Sequence, residues 1–237
     1  MTPAALASLS RSVPPGGSAG EPGFGEVGPG DFPGLPIVSA PLHPGGTLHS
    51  IILGSINDTR DIIGNPARGD YWSVESEFAG TILGGGADFQ KITGEYRKYI
   101  RIHKKKRRVI AGRLKAGFTT GGLPLFESFI GGGPESLRGY RLDRFWGERL
   151  LLANLELREP VGKNLQVVGF IDAGDAWGGR FPTTLPGLSV RAPDRTFKLR
   201  KDIGLGLRVV TPIGPLRFDF GIGSEGSQFQ FGVGQLF

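Results

Sequence analysis

The residues with side chains capable of catalysis are few and widely separated. His43, His49 and His103 are scattered along the 237 residues, and Cys is absent. Asp172 and Asp175 lie three positions apart in a strand-like segment, so they are expected on opposite faces and cannot act as a paired acid and base. No Gly-x-Ser-x-Gly elbow or His-Glu-x-x-His motif is present. The residues therefore indicate a protein that is not an enzyme.

Cofactor and metal sites are not expected either. The glycine-rich stretches at 84–86 and 131–133 precede no helical pattern, so they do not resemble loops that hold a phosphate at a helix N-terminus. Without Cys, a thiolate metal site is excluded. We therefore predict no cofactor and no bound metal.

The positive charge is concentrated in one short stretch. The chain has 28 Lys and Arg against 22 Asp and Glu, a net charge of +6. Six basic residues lie within 101–108: Arg101, Lys104, Lys105, Lys106, Arg107 and Arg108. Without them the balance is zero. Aromatic residues for base stacking are not interleaved with them, so a solvated turn is favoured over a nucleic-acid site.

Composition predicts an all-β fold. The chain contains 41 Gly and 18 Pro, and Gly costs about 1 kcal/mol per helical position relative to Ala. No run of 18 apolar residues is present, so a transmembrane helix is excluded. Residues 1–46 hold nine of the Pro and ten of the Gly without any periodicity. We expect this segment to be a linker or disordered.

From residue 47 onward the sequence predicts nine antiparallel strands. Segments of about ten residues alternate apolar and polar positions, and short turns separate several of them. The segments are 48–58, 71–80, 87–101, 107–119, 147–158, 165–177, 197–211, 215–223 and 228–237. Residues 120–146 and 178–196 are expected to form long connections.

Two architectures produce such alternation. A soluble β-sandwich, acting as a binding module, would bury the apolar face. A transmembrane β-barrel would place the apolar face in lipid and the polar face in its lumen. Strands of about ten residues suit a tilted crossing of a bilayer, whereas soluble strands average about five or six. Length therefore favours the barrel.

Several motifs go beyond periodicity. They are Gly131–Tyr140 (GGGPESLRGY), Phe170–Trp177 (FIDAGDAW), the run 204–221 followed by 229–237, and the stretches 58–61 and 65–69. Together they resemble the C-terminal barrel of the BamA family of outer-membrane assembly proteins, also called bacterial surface antigen proteins. The resemblance covers about residues 47–237.

The resemblance implies a transmembrane antiparallel barrel of sixteen strands, of which this chain would supply the last nine. It also implies that a loop carrying Arg138, Gly139 and Tyr140 folds back into the lumen. Its Arg138 would meet acidic side chains at Glu156 and Asp172. The alternation places both carboxylates on the polar faces of adjacent strands, and a guanidinium fork matches a carboxylate. The alternative is three independent solvated charges.

The last strand matches the family's C-terminal signal at Gln230, Gly232 and Phe237, whereas Gln235 departs from it. In the family the first and last strands pair weakly, and Gly232 and Gly234 would weaken that seam. Alternation places Phe237 on the apolar face with Phe229, Phe231 and Val233.

The implied function is protein insertion into the outer membrane, where a substrate strand is templated at the seam. The expected partners are outer-membrane lipid, unfolded outer-membrane proteins and the lipoproteins of an assembly complex. A two-partner secretion pore is the alternative. Because seven strands and the periplasmic POTRA domains are not matched, the chain is expected to be a fragment or a truncated product. A non-functional truncated fragment is a further alternative.

Overall fold

The computed structural model of the chain describes residues 9–12, 47–103, 107–179, 184–185, 188–189, 193–211 and 214–237. In chain order the strands are β1 (Leu9–Ser12), β2 (Thr47–Asp58), β3 (Gly69–Ala79), β4 (Phe89–Arg101), β5 (Val109–Gly121), β6 (Phe129–Gly131), β7 (Phe145–Gly147), β8 (Arg149–Pro160), β9 (Leu165–Trp177), β10 (Thr184–Leu185), β11 (Leu188–Ser189), β12 (Arg200–Thr211), β13 (Gly214–Gly223) and β14 (Gly226–Val233). Two three-residue 3-10 helices, Thr81–Leu83 and Leu125–Glu127, accompany them. None of the described helices is long and apolar enough to cross a membrane.

Ten strands form one sheet in the order β1-β2-β3-β4-β5-β8-β9-β12-β13-β14, and every neighbouring pair is antiparallel. The prediction of an all-β antiparallel fold is confirmed, and each of the nine predicted segments overlaps one long strand, with bounds that differ by up to four residues. Within the described residues, β1 and β14 each pair on one side only. Closure into a sixteen-strand barrel therefore stays a prediction.

One short piece of the predicted linker has a place in the sheet. The backbone of β1 pairs with the start of β2, from Leu9 opposite Ser50 to Ser12 opposite Thr47. The other residues of 1–46 lie outside the described part of the chain. The assignment of 1–46 as a linker remains a prediction.

The two faces of the sheet are inverted relative to a water-soluble protein. On one face, large apolar side chains are exposed: Leu205 is 66% exposed and Phe220 is 47% exposed. On the opposite face, charged side chains are buried: Glu156 and Arg208 have no exposed surface, and Asp219 has 1%. Because alternate residues of a strand point to opposite faces, this inversion follows directly from the period-two pattern of the sequence.

The sheet curls around its polar face. Phe237 lies after β14 but packs with Val109 and Ala111 of β5. Five strand spacings separate β14 from β5, or about 24 Å in a flat sheet, whereas the four residues 234–237 span at most about 14 Å. The contact therefore requires strong curvature, with the polar face on the concave side.

The last strand is shorter than the alternation predicted. It ends at Val233, and Gly234 takes a left-handed φ of 88° while its N–H donates to the carbonyl of Pro215. The chain then turns inward, and Phe237 is 2% exposed. The expectation that Phe237 shares the outer apolar face is wrong, because a residue beyond a left-handed glycine no longer follows the strand's alternation.

The connections alternate between the two ends of the sheet. Residues 59–68, 102–103, 107–108 and 161–164 lie at one end, and residues 80–88, 122–148, 178–179 and 193–199 lie at the other. The long segment 122–148 folds back over the concave face, where Arg138 contacts β8 and β9.

The turn 59–68 depends on Asp61. Its Oδ1 accepts from the backbone N–H groups of Ile62 (2.9 Å), Ala67 (2.8 Å) and Arg68 (3.3 Å), and Oδ2 lies 3.5 Å from Nη2 of Arg107. Burial opposes ionisation of the carboxyl, but these hydrogen bonds and the charge of Arg107 outweigh it and lower the pKa of Asp61.

We predict that Asp61→Ala lowers the free energy of unfolding by about 1 kcal/mol at neutral pH, since the carboxylate satisfies several backbone donors. A lowered folded-state pKa stabilises the fold above the unfolded-state pKa, about 3.9, and this stabilisation is lost as the pH falls through the folded-state pKa. Denaturant titrations at neutral and at strongly acidic pH measure the difference. An equal penalty at both pH values would contradict this role.

Candidate functional site

The centre of the concave face is occupied by residues 132–144, which we call the inner loop. Strands β6 and β7 pair beneath it, with Ile130 opposite Trp146, and hold its two ends together. At its start, Gly132 and Gly133 adopt left-handed φ angles of 103° and 94°. The N–H of Gly133 donates to the carbonyls of Leu137 (3.1 Å) and Tyr140 (3.2 Å), which makes the loop compact.

Arg138 is the central residue of the inner loop, and it is completely buried. Its Nε and Nη2 each lie 2.8 Å from a carboxylate oxygen of Asp172 on β9, and its backbone N–H donates to the same group at 3.2 Å. Nη1 lies 2.5 Å from Oε1 of Glu156 on β8. The structure thus brings together Arg138, Glu156 and Asp172, with a bidentate contact that orients the guanidinium.

Three further charged residues join this cluster, and the sequence reasoning did not assign them to it. Nη1 of Arg138 lies 3.7 Å from Asp219, and Arg208 contacts Asp219 at 2.5 Å and Glu156 at 3.4 Å. Arg158 contacts the other oxygen of Glu156 at 2.8 Å. The available signal was their position on the polar faces of β8, β12 and β13, which does not by itself identify partners.

The resulting cluster joins three guanidiniums to three carboxylates, all of them 0–1% exposed: Arg138, Arg158, Arg208, Glu156, Asp172 and Asp219. Burying one unpaired charge is costly, and a charge-balanced, hydrogen-bonded cluster offsets much of that cost. The arrangement is therefore suited to fixing the loop in place. Among the described residues, no group of three or more His, Cys, Asp or Glu is placed to hold a metal ion.

Beneath the cluster, the guanidinium of Arg138 stacks on the ring of Phe170, with Cζ 3.6 Å from the ring centroid. The Phe170 ring occupies the space that a Cβ at Gly204 would fill on the neighbouring strand. Stacking of a desolvated guanidinium on an aromatic ring adds a favourable cation–π interaction.

Gly139 allows the loop backbone to lie directly on the strands. A Cβ at this position would overlap Cβ of Asp202 and come within 2.8 Å of the backbone nitrogen of Gly223. The Tyr140 side chain extends to β12 and to the turn after β13. Its hydroxyl donates to the carbonyl of Lys201 at 3.0 Å and lies 3.1 Å from Oγ of Ser224.

The predicted residues of the last strand have separate environments. Gln230 points toward the loop, and its Nε2 donates to the carbonyl of Tyr140 at 3.1 Å. Gly232 leaves room for the guanidinium of Arg217, whose Nε would lie 2.9 Å from a Cβ there. Phe237 lies in the concave face, where Nη2 of Arg158 donates to its carbonyl at 3.0 Å. Their role as a recognition signal remains a prediction.

The basic stretch 101–108 is only partly described, because Lys104, Lys105 and Lys106 lie outside the described residues. Arg107 donates to the carbonyl of Asn65, at 2.5 Å, and Arg108 forms an ion pair with Glu159. These two side chains are therefore engaged in intramolecular contacts.

Comparison with known proteins identifies the family. The model of the Omp85 superfamily domain matches residues 46–237. The chain belongs to the Omp85 superfamily. The match begins where the predicted strands begin, and the resemblance to the BamA family that the motifs indicated is confirmed.

Individual relatives agree with this assignment. The chain is 30% identical over 207 residues to the outer membrane protein assembly factor BamA of Nitratidesulfovibrio vulgaris, covering 76% of this chain and 24% of that protein. It is 28% identical over 221 residues to the chloroplastic outer envelope protein 80 of Arabidopsis thaliana, covering 89% and 29%. The chain thus spans about a quarter of the length of these relatives.

The fold is also similar to that of a solved structure, the crystal structure of BamA from Haemophilus ducreyi lacking POTRA domains 1–3. The TM-score is 0.63 at 18% identity, covering 81% of this chain and 43% of that chain. As an Omp85 member, the protein is an integral outer-membrane protein. The exposed apolar face is therefore its lipid-facing surface.

Replacing Arg138 tests the buried cluster. Arg138→Ala leaves Glu156 and Asp172 buried without their central partner, and loss of one partner of a buried ion pair costs about 3–5 kcal/mol. We expect altered heat-modified gel mobility and faster proteolysis of the inner loop in the full-length protein. Arg195→Ala, at an exposed position of the segment between β9 and β12, is the control. Unchanged mobility, unchanged protease sensitivity and unchanged assembly activity in Arg138→Ala would refute the anchoring role.

A second prediction tests the orientation of the sheet in lipid. Leu205 lies in the middle of β12 on the exposed face, and Leu199 lies just before the same strand. Leu205→Arg should lower stability in lipid vesicles by about 2–4 kcal/mol, because arginine at mid-membrane depth is costly, whereas the cost falls to about 0–1 kcal/mol near the interface, where we place Leu199→Arg. Equal stability losses for the two variants in denaturant unfolding would contradict this orientation.

Proposed function

We propose that this chain is the C-terminal barrel portion of an outer-membrane protein assembly and insertion factor, and that it templates substrate β-strands at a seam formed by its last strand. The observation that supports this proposal most directly is the edge at β14. In the described part of the chain β14 pairs only with β13, so one side of its backbone is available for another strand.

The length of β14 is consistent with a weak seam. This strand has eight residues, compared with thirteen in each of β4, β5 and β9. A shorter strand can form fewer ladder hydrogen bonds with whatever pairs along it, and exposed strand edges accept incoming strands through main-chain hydrogen bonds. The edge thus suits a pairing that forms and separates during a reaction cycle.

In the complete protein, β2–β5, β8, β9 and β12–β14 would be the last nine of sixteen barrel strands, since an open sheet edge is not viable in lipid. Gly232 and Gly234 would contribute to the weakness of the seam. The inner loop with Arg138, Gly139 and Tyr140, anchored by Glu156 and Asp172, would brace the barrel from within.

The proposed activity requires no covalent chemistry, nucleotide or metal. The substrates would be unfolded outer-membrane proteins, and outer-membrane lipid would surround the apolar face. Lipoproteins of an assembly complex would be further partners. The named function of the Nitratidesulfovibrio vulgaris relative, an assembly factor, favours this activity over a two-partner secretion pore.

Photo-crosslinking can test strand templating. Phe229 on β14 is 67% exposed and Leu155 on the central strand β8 is 51% exposed, both on the lipid-facing side. With a photoreactive amino acid at either position of the full-length protein, we expect adducts with a radiolabelled assembling barrel protein from position 229 and at least about tenfold fewer from position 155. Of these two strands, β14 lies at an edge of the sheet and β8 is paired on both sides. Equal yields at both positions would exclude templating at this strand.

A further inference from the structure

The hairpin β13–β14 lies at the edge of the sheet and is held in the sheet from one side. β13 pairs with β12 from Asp202 opposite Gly223 to Thr211 opposite Gly214, and β14 pairs only with β13 among the described residues. Terminal strands open more readily than central ones because fewer interactions resist the movement. Further contacts are therefore needed to fix this hairpin.

The inner loop supplies such contacts at the tip of the hairpin. Nε and Nη2 of Arg144 lie 2.6 and 2.7 Å from the two carboxylate oxygens of Glu225, in the turn between β13 and β14. The Arg144 side chain is 13% exposed and that of Glu225 is 36% exposed. A bidentate guanidinium–carboxylate pair constrains the relative orientation of the two side chains as well as their distance, so it holds the turn against the loop.

A second set of contacts reaches the body of the hairpin. Gln230 of β14 donates from Nε2 to the carbonyl of Tyr140, and Nη1 of Arg217 on β13 donates to the carbonyl of Pro134 at 3.3 Å. Arg217 also forms an ion pair with Glu135. Both strands of the hairpin are thus connected to the inner loop.

The other side of the loop is fixed to the centre of the sheet. Besides the bidentate contact of Arg138 with Asp172, Nδ2 of Asn154 on β8 donates to the carbonyl of Ser136 at 2.7 Å. The loop therefore forms a bridge from β8 and β9, across β12, to β13 and β14. The ion pair with the hairpin turn uses Arg144, a different residue from the central anchor Arg138. Arg138 also lies near the hairpin, since Nη1 is 3.7 Å from Asp219 of β13 and its carbonyl accepts from Nε2 of Gln230 at 3.5 Å.

We propose that the inner loop positions the edge hairpin β13–β14, and that Arg144 and Gln230 are the positioning residues. When their contacts are made, the edge of β14 has a fixed place relative to the central strands. When they are broken, the hairpin moves while Arg138 remains anchored. The consequence for strand addition rests on the proposed function, whereas the positioning itself does not.

Charge exchange between loop and hairpin tests this inference. The full-length protein in lipid nanodiscs is compared with its variants Arg144→Glu, Glu225→Arg and the double variant, by amide hydrogen exchange. We expect exchange in 216–231 to become about fivefold faster in each single variant, the size of effect that loss of a partly exposed ion pair produces. The double variant should restore protection, and β8 and β9 should be unchanged. Arg195→Glu, an exposed residue of the segment between β9 and β12, controls for the change of charge.

Gln230→Ala provides an independent variant, which should increase exchange in β14 without changing the ion pair at the turn. Unchanged exchange in 216–231 in both single charge variants would overturn the inference. Loss of protection in β9 together with the hairpin would overturn it as well, because the loop would then have detached as a whole. Failure of the double variant to restore protection would show that the pair is not the positioning contact.

Assembly activity is measured separately, as the rate at which an unfolded barrel protein folds into liposomes containing each variant. A mobile hairpin with an altered rate supports both proposals. A mobile hairpin with an unchanged rate retains the positioning role and refutes templating at β14. A rate that changes without any change in hairpin exchange overturns the positioning role.

Discussion

The fold depends on a charge placed where water cannot reach it. Arg138 is completely buried, and it remains compatible with folding because Asp172 and Glu156 contact it directly and Asp219 lies close by. A guanidinium is almost never neutral in a protein, so its burial requires carboxylates in a fixed arrangement. That requirement links the inner loop to β8, β9 and β13 simultaneously, which determines the path of the loop across the concave face.

The surroundings of this cluster are consistent with the same constraint. Gly139 has no side chain, so the loop backbone approaches Asp202 and Gly223 closely. Gly204 makes room for the ring of Phe170, on which Arg138 stacks. Some of the chain's many glycines thus have a specific role. They lack a side chain at points where the loop packs directly on the strands and where large side chains need room.

The two faces of the sheet have environments that suit an outer-membrane protein. Lipid solvates the exposed apolar face, and the buried polar face provides partners for the loop. Because the loop is anchored at the central strands and contacts the edge hairpin, it can fix the position of β14 relative to those strands. In the proposed function, this connection would place a fixed interior loop next to the strand edge at which substrate strands pair.

The sequence by itself determined the strands, their antiparallel order and the identity of the two faces, because a period of two residues is a local property of the chain. The loop motif and its resemblance also led to Arg138, Glu156 and Asp172. Only the tertiary structure decided that Arg158, Arg208 and Asp219 share the cluster, that Arg144 binds Glu225, and that Phe237 turns inward. Strand alternation specifies a face, but the partners on that face depend on register, on sheet curvature and on the path of a loop between residues distant in sequence.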